Sequence, residues 1–157
     1  MSYCVAIMGA TGAVGQEMIR TLEQRAFPVS QIKMLASERS EGKTVVFRGR
    51  RVPVEVLTKD SFKGVDIVLS SAGAAISIEF APAAAAAGAV MIDNTSAFRM
   101  EKDVPLVVPE VNPDRAADCF KATKHPLIIA NPNCSTIQMV VALAPIHRAA
   151  GIRRLVI

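Results

Sequence analysis

Short apolar runs alternate along this chain with longer stretches whose apolar positions recur every three or four residues. Residues 4–8 (CVAIM) form a continuous apolar run of the kind found in strands buried on both faces. Val14, Met18, Ile19, Leu22 and Ala26 then fall on one face of a helix. Residues 31–36 and 65–70 read as two further strands. Between them, TVVF and VPVEV flank FRGRR, predicting a hairpin over residues 43–57. Residues 76–87 read as an alanine-rich helix stopped by Gly88, with the strand AVMID after it. Past residues 104–108 the pattern predicts a short helix over 113–120. The strand LIIA follows, and then a helix from Ser135 to about Ala150, with a kink at Pro145. Alternating strands and helices predict an α/β fold with a doubly wound parallel sheet. The last residues, GIRRLVI, carry the pattern of one more buried strand with no turn or polar tail behind it, so an incomplete chain is expected.

Length and composition narrow the class. A chain of 157 residues can bury one sizeable core, and 51% hydrophobic against 20% charged residues is a globular balance. No apolar stretch is long enough for a membrane span, and the start, MSYCVAIMGATG, has no basic leader region. Cys4, Cys119 and Cys134 are odd in number and lack metal-ligand spacing, which points to a reducing, cytoplasmic setting and to no bound metal. The net charge of +4 includes the cluster Arg48, Arg50 and Arg51, which lies in the hairpin turn and reads as solvated. With aromatics at 4% and no longer basic stripe, nucleic-acid binding is not expected. A mildly basic surface does suit phosphorylated small-molecule ligands.

Chemistry concentrates in four places. GATGAVG, directly after the first strand, places Gly9, Gly12 and Gly15 at the opening of a helix. Such a strand–loop–helix turn lets backbone N–H groups approach a pyrophosphate, and the helix N-terminus favours its charge. After the second strand comes ASERSEGK. Glu38 would suit the ribose hydroxyls of NAD, whereas Arg39, between Ser37 and Ser40 and near Lys43, offers a fork for a 2′-phosphate and favours NADP(H). SSAGAA, with Ser71, Ala72 and Gly73, follows the third strand; its small residues suit a nicotinamide ribose and equally an ordinary strand–helix corner. Finally, LIIANPNCST puts Cys134 at or near a helix N-terminus, where free N–H groups stabilise a thiolate and, with Asn133, an oxyanion. The competing reading is a buried core thiol, which is how Cys4 and Cys119 are read. A nucleophilic thiol beside a nicotinamide site suggests a thiol-dependent aldehyde dehydrogenase or acyl-phosphate reductase, with Arg99 of DNTSAFRM as an anion anchor or a plain surface arginine.

Taken in order, GATGAVG, SERS, SSAG, DNTSAFR, VPEVN and NPNCST resemble aspartate-semialdehyde dehydrogenases across nearly the whole chain. NPNCST separates it from the N-acetyl-glutamyl-phosphate reductases of the same superfamily. The resemblance implies a Rossmann-type domain over residues 1–133, with residues 134–157 the first helix and strand of a truncated α+β catalytic and dimerisation domain. It implies NADPH-dependent reductive dephosphorylation of β-aspartyl phosphate to aspartate semialdehyde, in lysine, threonine and methionine synthesis, by an enzyme that is a homodimer when intact. By the same resemblance Cys134 is the acyl-thioester nucleophile, Asn133 helps to position substrate and Arg99 holds the substrate phosphate. Thr11, Gly12, Ala13 and Val14 match the cofactor-phosphate loop, Arg39 and Ser40 the 2′-phosphate contacts, and Ser71, Ala72, Gly73 and Asn94 the nicotinamide end. Neither His125 nor His147 is placed to serve as the general acid/base, so the chain alone is expected to be catalytically incomplete. Reduction of another acyl phosphate, and a cofactor-binding module without chemistry, are the competing functions.

Overall fold

The computed structural model describes residues 1–121 and 128–156. Seven strands form one sheet in the order β3-β4-β2-β1-β5-β6-β7. They are β1 (Tyr3–Met8), β2 (Val29–Ala36), β3 (Thr44–Phe47), β4 (Arg50–Val56), β5 (Ile67–Ser70), β6 (Val90–Asp93) and β7 (Ile128–Ala130). Every pairing is parallel except the edge hairpin β3–β4. The helices are α1 (Ala13–Gln24), α2 (Ala74–Ala86), α3 (Asp114–Lys121) and α4 (Cys134–Ala150).

The chain builds outward from β1 in both directions: first to β2 and β4, then back across to β5, β6 and β7. Right-handed crossovers running in opposite directions put α1 and α2 on opposite faces. The alternation within CVAIM divides accordingly. Cys4, Ala6 and Met8 join Leu35, Val68, Met91 and Phe80 beneath α2, while Val5 and Ile7 join Met34, Val54 and Ile19 beneath α1. A strand buried on both faces needs apolar side chains at every position, which is why no polar residue interrupts this run. The strand order reverses at β1, leaving a crevice between the C-terminal ends of β1 and β5, the place where open α/β sheets bind ligands.

The hairpin turns at Arg48 and Gly49, whose φ angles of 50° and 74° suit the tight turn that matches strand twist. Arg48 is more than a solvated turn residue. Its guanidinium donates to the carbonyls of Phe27 and Val29 at 2.5 and 3.1 Å, its N–H donates to Glu23, and it stacks over the Phe47 ring. The arginine thus clamps the edge hairpin to the α1–β2 connection.

Residues 104–108 contribute a single bridge, Leu106 to Ala130. The strand expected from GIRRLVI does not form among the described residues. Residues 151–156 adopt no strand, and Leu155 and Val156 are exposed, because no described strand lies alongside to complete a ladder. The strand predicted as LIIA is described from Ile128; Leu127 and His125 lie outside the described residues, as does the side chain of Cys119. α4 has no buried residue despite its apolar composition. Among the described residues, no helix is long and apolar enough to cross a membrane.

Candidate cofactor cleft and thiol site

Glycine is required at two points of the GATGAVG turn. Gly9 has φ +86°, and a Cβ there would lie 3.1–3.2 Å from Ser71 Oγ and the Ala72 backbone. At Gly15, buried in the first turn of α1, a Cβ would lie 2.2 Å from the Gly9 carbonyl oxygen. The missing side chain lets α1 sit directly on the loop. Gly12 N–H donates to the Gly9 carbonyl at 2.9 Å, and Gln16 Nε2 donates to the Ala10 carbonyl at 2.6 Å. Gly12 caps α1 without a side chain, and the N–H groups of Ala13, Val14 and Gly15 meet no acceptor among the described residues. Three open donors at the positive end of a helix suit a pyrophosphate.

Beside this turn lies a cleft of about 570 Å³. Gly9, Thr11 and Gly12 form one edge, Ser37, Glu38 and Arg39 another, and Ser71 and Ala72 a third. Three loops separated in sequence thus meet at one end of the sheet. Ser71 Oγ donates to the Met8 carbonyl at 3.1 Å, tying the β5 loop to the end of β1. Ser40 is buried behind Arg39, 3.1 Å from the Thr11 hydroxyl, so it braces the cleft instead of lining it. The apolar lining, Ala36, Val56, Leu57, Ile76 and Phe80, escaped the sequence reading. The signal available was the i, i+4 spacing of Ile76 and Phe80 on α2. These residues fit a dinucleotide: donors for its phosphates, an apolar slot, and both Glu38 and Arg39 at the ribose end.

Not every expected cofactor residue falls here. Gly73, with φ +98°, is the N-cap of α2, outside the lining. Val14 and Asn94 line a second, largely apolar hollow of about 340 Å³ between α1 and the β5–β6 face.

The thiol lies one strand further along. Cys134 is the first residue of α4 and is exposed, whereas Cys4 is buried. Asn133 caps the helix: its Oδ1 accepts from Ser135 N–H at 3.0 Å and lies 3.8 Å from Cys134 Sγ. The Asn133 oxygen is therefore engaged at the helix start, which leaves the amide N–H groups as the donors this side chain can offer. Arg99 is held in the bend after β6. Its Nε donates to the Asn131 carbonyl at 2.9 Å and one terminal nitrogen to the Asn94 carbonyl at 3.2 Å. The arginine thus spans the β6 and β7 loops, three residues ahead of the thiol. His147 sits near the far end of α4, where its Nδ1 accepts from Ile152 N–H.

Fold and site together define a class: a doubly wound dinucleotide-binding domain whose sheet edge carries an exposed thiol and a fixed guanidinium. Residues 4–119 match the semialdehyde dehydrogenase NAD-binding domain, and the chain belongs to that family. Its relatives are more specific. The aspartate-semialdehyde dehydrogenase of Aquifex aeolicus is 57% identical over 158 residues, covering all of this chain and 45% of the relative. The crystal structure of aspartate semialdehyde dehydrogenase II from Vibrio cholerae complexed with ASA superposes with a TM-score of 0.90 at 54% identity, covering 98% of this chain and 49% of that one. The Candida albicans aspartate semialdehyde dehydrogenase with NADP gives a TM-score of 0.75 at 29% identity, over 96% of this chain and 48% of that one. The chain spans about half the length of these relatives.

Proposed function

We propose that this chain is the N-terminal portion of an NADP-dependent, cytoplasmic aspartate-semialdehyde dehydrogenase. In this reading residues 1–133 are the cofactor domain and residues 134–157 begin the catalytic domain of a homodimeric enzyme. The reaction is the reduction of β-aspartyl phosphate to aspartate semialdehyde and inorganic phosphate, in lysine, threonine and methionine synthesis. The carrying observation is the junction between Arg99 and the NPNC segment, where a guanidinium is bonded to the carbonyl of Asn131, three residues before an exposed helix-terminal thiol.

Each residue then has a chemical task. Cys134 Sγ forms a bond to the acyl carbon as the carbon–oxygen bond to phosphate breaks. Arg99, with two donors spent on carbonyls, keeps its remaining N–H groups for the departing phosphate. The Asn133 amide N–H groups bind the carbonyl oxygen while its Oδ1 holds the helix start. The reduced nicotinamide, when bound, would supply a hydride to the thioester carbon. The aldehyde forms as the carbon–sulfur bond breaks and Cys134 leaves as thiolate. Arg39, with Ser40 and Thr11 behind it, faces the 2′-phosphate, and the Candida albicans relative with NADP supports that choice.

Proton transfer is the task no described residue fills. His147 lies thirteen residues along α4 from Cys134, roughly 20 Å at 1.5 Å per residue. The expected outcome is that the 157-residue chain binds NADPH and is alkylated by iodoacetamide at Cys134 well before Cys4, yet forms no NADPH from aspartate semialdehyde, phosphate and NADP. Turnover by this chain alone at the rate of an intact relative would sink the proposed incompleteness. Labelling of Cys4 ahead of Cys134 would sink the nucleophile.

A further inference from the structure

Asp93 ends β6 with its side chain fully buried and no cationic partner among the described residues. Its carboxylate accepts from two hydroxyls, Ser77 on α2 and Thr95 in the following loop, each at 2.7 Å. Because Ser77 donates to the carboxylate, the 2.8 Å contact between Ser70 and Ser77 runs from the Ser70 hydroxyl to Ser77 Oγ. Thr95 Oγ1, having donated to Asp93, accepts from Ala97 N–H at 3.1 Å. A chain of bonds therefore runs from the interior to the backbone of the loop that carries Asn94 and Arg99. The main chain of Asp93 reaches the other side of the site, since its carbonyl accepts Asn131 N–H at 2.8 Å. Arg99 closes the arrangement by donating to the carbonyls of Asn94 and Asn131.

A buried carboxylate is an expensive way to finish a strand, and its worth depends on every hydroxyl donor being in place. Charged acceptors hold their donors more tightly than neutral ones, so this carboxylate fixes Thr95 more firmly than an amide or apolar side chain would. We propose that Asp93, acting through Thr95, is the positioning residue that sets the Arg99 guanidinium against the NPNC segment. Asp93 touches no reacting atom; it controls where the anion-binding donors of Arg99 point. This role rests on the reading of Arg99 as the phosphate anchor.

The test uses the 157-residue chain with 15N-labelled arginine. The Arg99 Nε–H resonance, assigned by its loss in Arg99→Lys, reports the bond to Asn131. Inorganic phosphate is the anion probe, and NADPH fluorescence reads the separate cofactor cleft. Thr95→Val keeps the shape and removes both hydroxyl bonds. The expected result is at least tenfold faster solvent exchange at Arg99 Nε–H and at least fivefold weaker response to phosphate, with NADPH affinity within twofold. Thr95→Ser should restore both, and Asp93→Asn should fall between Thr95→Val and the parent. Unchanged exchange at Arg99 in Thr95→Val would overturn the proposal. So would a parallel loss of NADPH and phosphate binding, the mark of general destabilisation, or no recovery in Thr95→Ser. If the parent chain shows no phosphate response while Thr95→Val still frees Arg99 Nε–H, the anchor reading fails and the positioning role stands.

Discussion

Replacing Gly15 by alanine adds one methyl group at the tightest contact described in the turn. The new Cβ would stand 2.2 Å from the Gly9 carbonyl oxygen, 2.9 Å from the Gly9 carbonyl carbon and 3.0 Å from Ala10 Cα. An ordinary carbon–oxygen contact is about 3.3 Å, so helix and loop must separate by roughly 1 Å. All three neighbours are backbone and none can rotate away, which puts the overpacking cost near the upper end of its usual range, about 3 kcal/mol. Alanine recovers about 1 kcal/mol over glycine inside a helix, leaving a net loss of about 2 kcal/mol. For a domain of this size that lowers the melting temperature by about 4–8 °C. The same displacement moves the open N–H groups of Ala13 and Val14, so NADPH affinity should fall at least about tenfold. Gly12→Ala is the control: its Cβ meets the Gly9 oxygen at 3.3 Å and its φ of −80° is ordinary, so the cost should be about 1 kcal/mol, mostly from the poorer N-cap. Thermal melts followed by circular dichroism and NADPH fluorescence titrations read both effects. A Gly15→Ala chain that melts with the parent and binds NADPH within twofold of it would refute the close-approach account of this glycine.

Two further outcomes test the cleft and the hairpin. Arg39→Ala should weaken NADPH about tenfold, roughly 1.4 kcal/mol, and leave NADH within twofold, in paired fluorescence titrations; equal losses for the two would remove Arg39 from the 2′-phosphate. Arg48→Ala should cost about 1 kcal/mol in a urea melt, because the carbonyls of Phe27 and Val29 lose a charged donor while staying open to water, whereas Arg50→Ala and Arg51→Ala should change little.

Burial decides how Cys4 responds to pH. Burial pushes the Cys4 thiol above its ordinary range, with Lys33 opposing the effect and Asp66 adding to it. A raised thiol value means less thiolate at a given pH, so labelling of Cys4 should need a higher pH than labelling of a free thiol, consistent with its place under α2.

Much of this molecule was written locally. The glycine turn, the alternation that divides β1 between two faces and the position of Cys134 at a helix start all depend on neighbours within a few residues. Local chemistry suffices for them: backbone freedom at Gly9, side-chain period, and a capping asparagine before the cysteine. The six ordered motifs extended that reading to the family. Where a pattern needed a distant partner, the sequence misled. GIRRLVI has the composition of a strand, but composition supplies no neighbouring ladder, and residues 151–156 stay unpaired. Arg48 read as solvated because nothing near it in sequence reveals the two carbonyls it reaches across the sheet edge.

The sequence by itself determined which residue types stand at the ends of the strands, since those ends are marked by glycines, small residues and caps. Only the tertiary structure decided which of those ends meet. Parallel pairing brings residues 9–12, 37–39 and 71–72 into one cleft and sends Asn94 to another. It also joins Ser70, Ser77, Asp93 and Thr95 into one buried chain of hydrogen bonds. Their spacing in sequence has no period to announce it, because the contacts arise from strand order and register, and those are settled by the packing of the whole sheet.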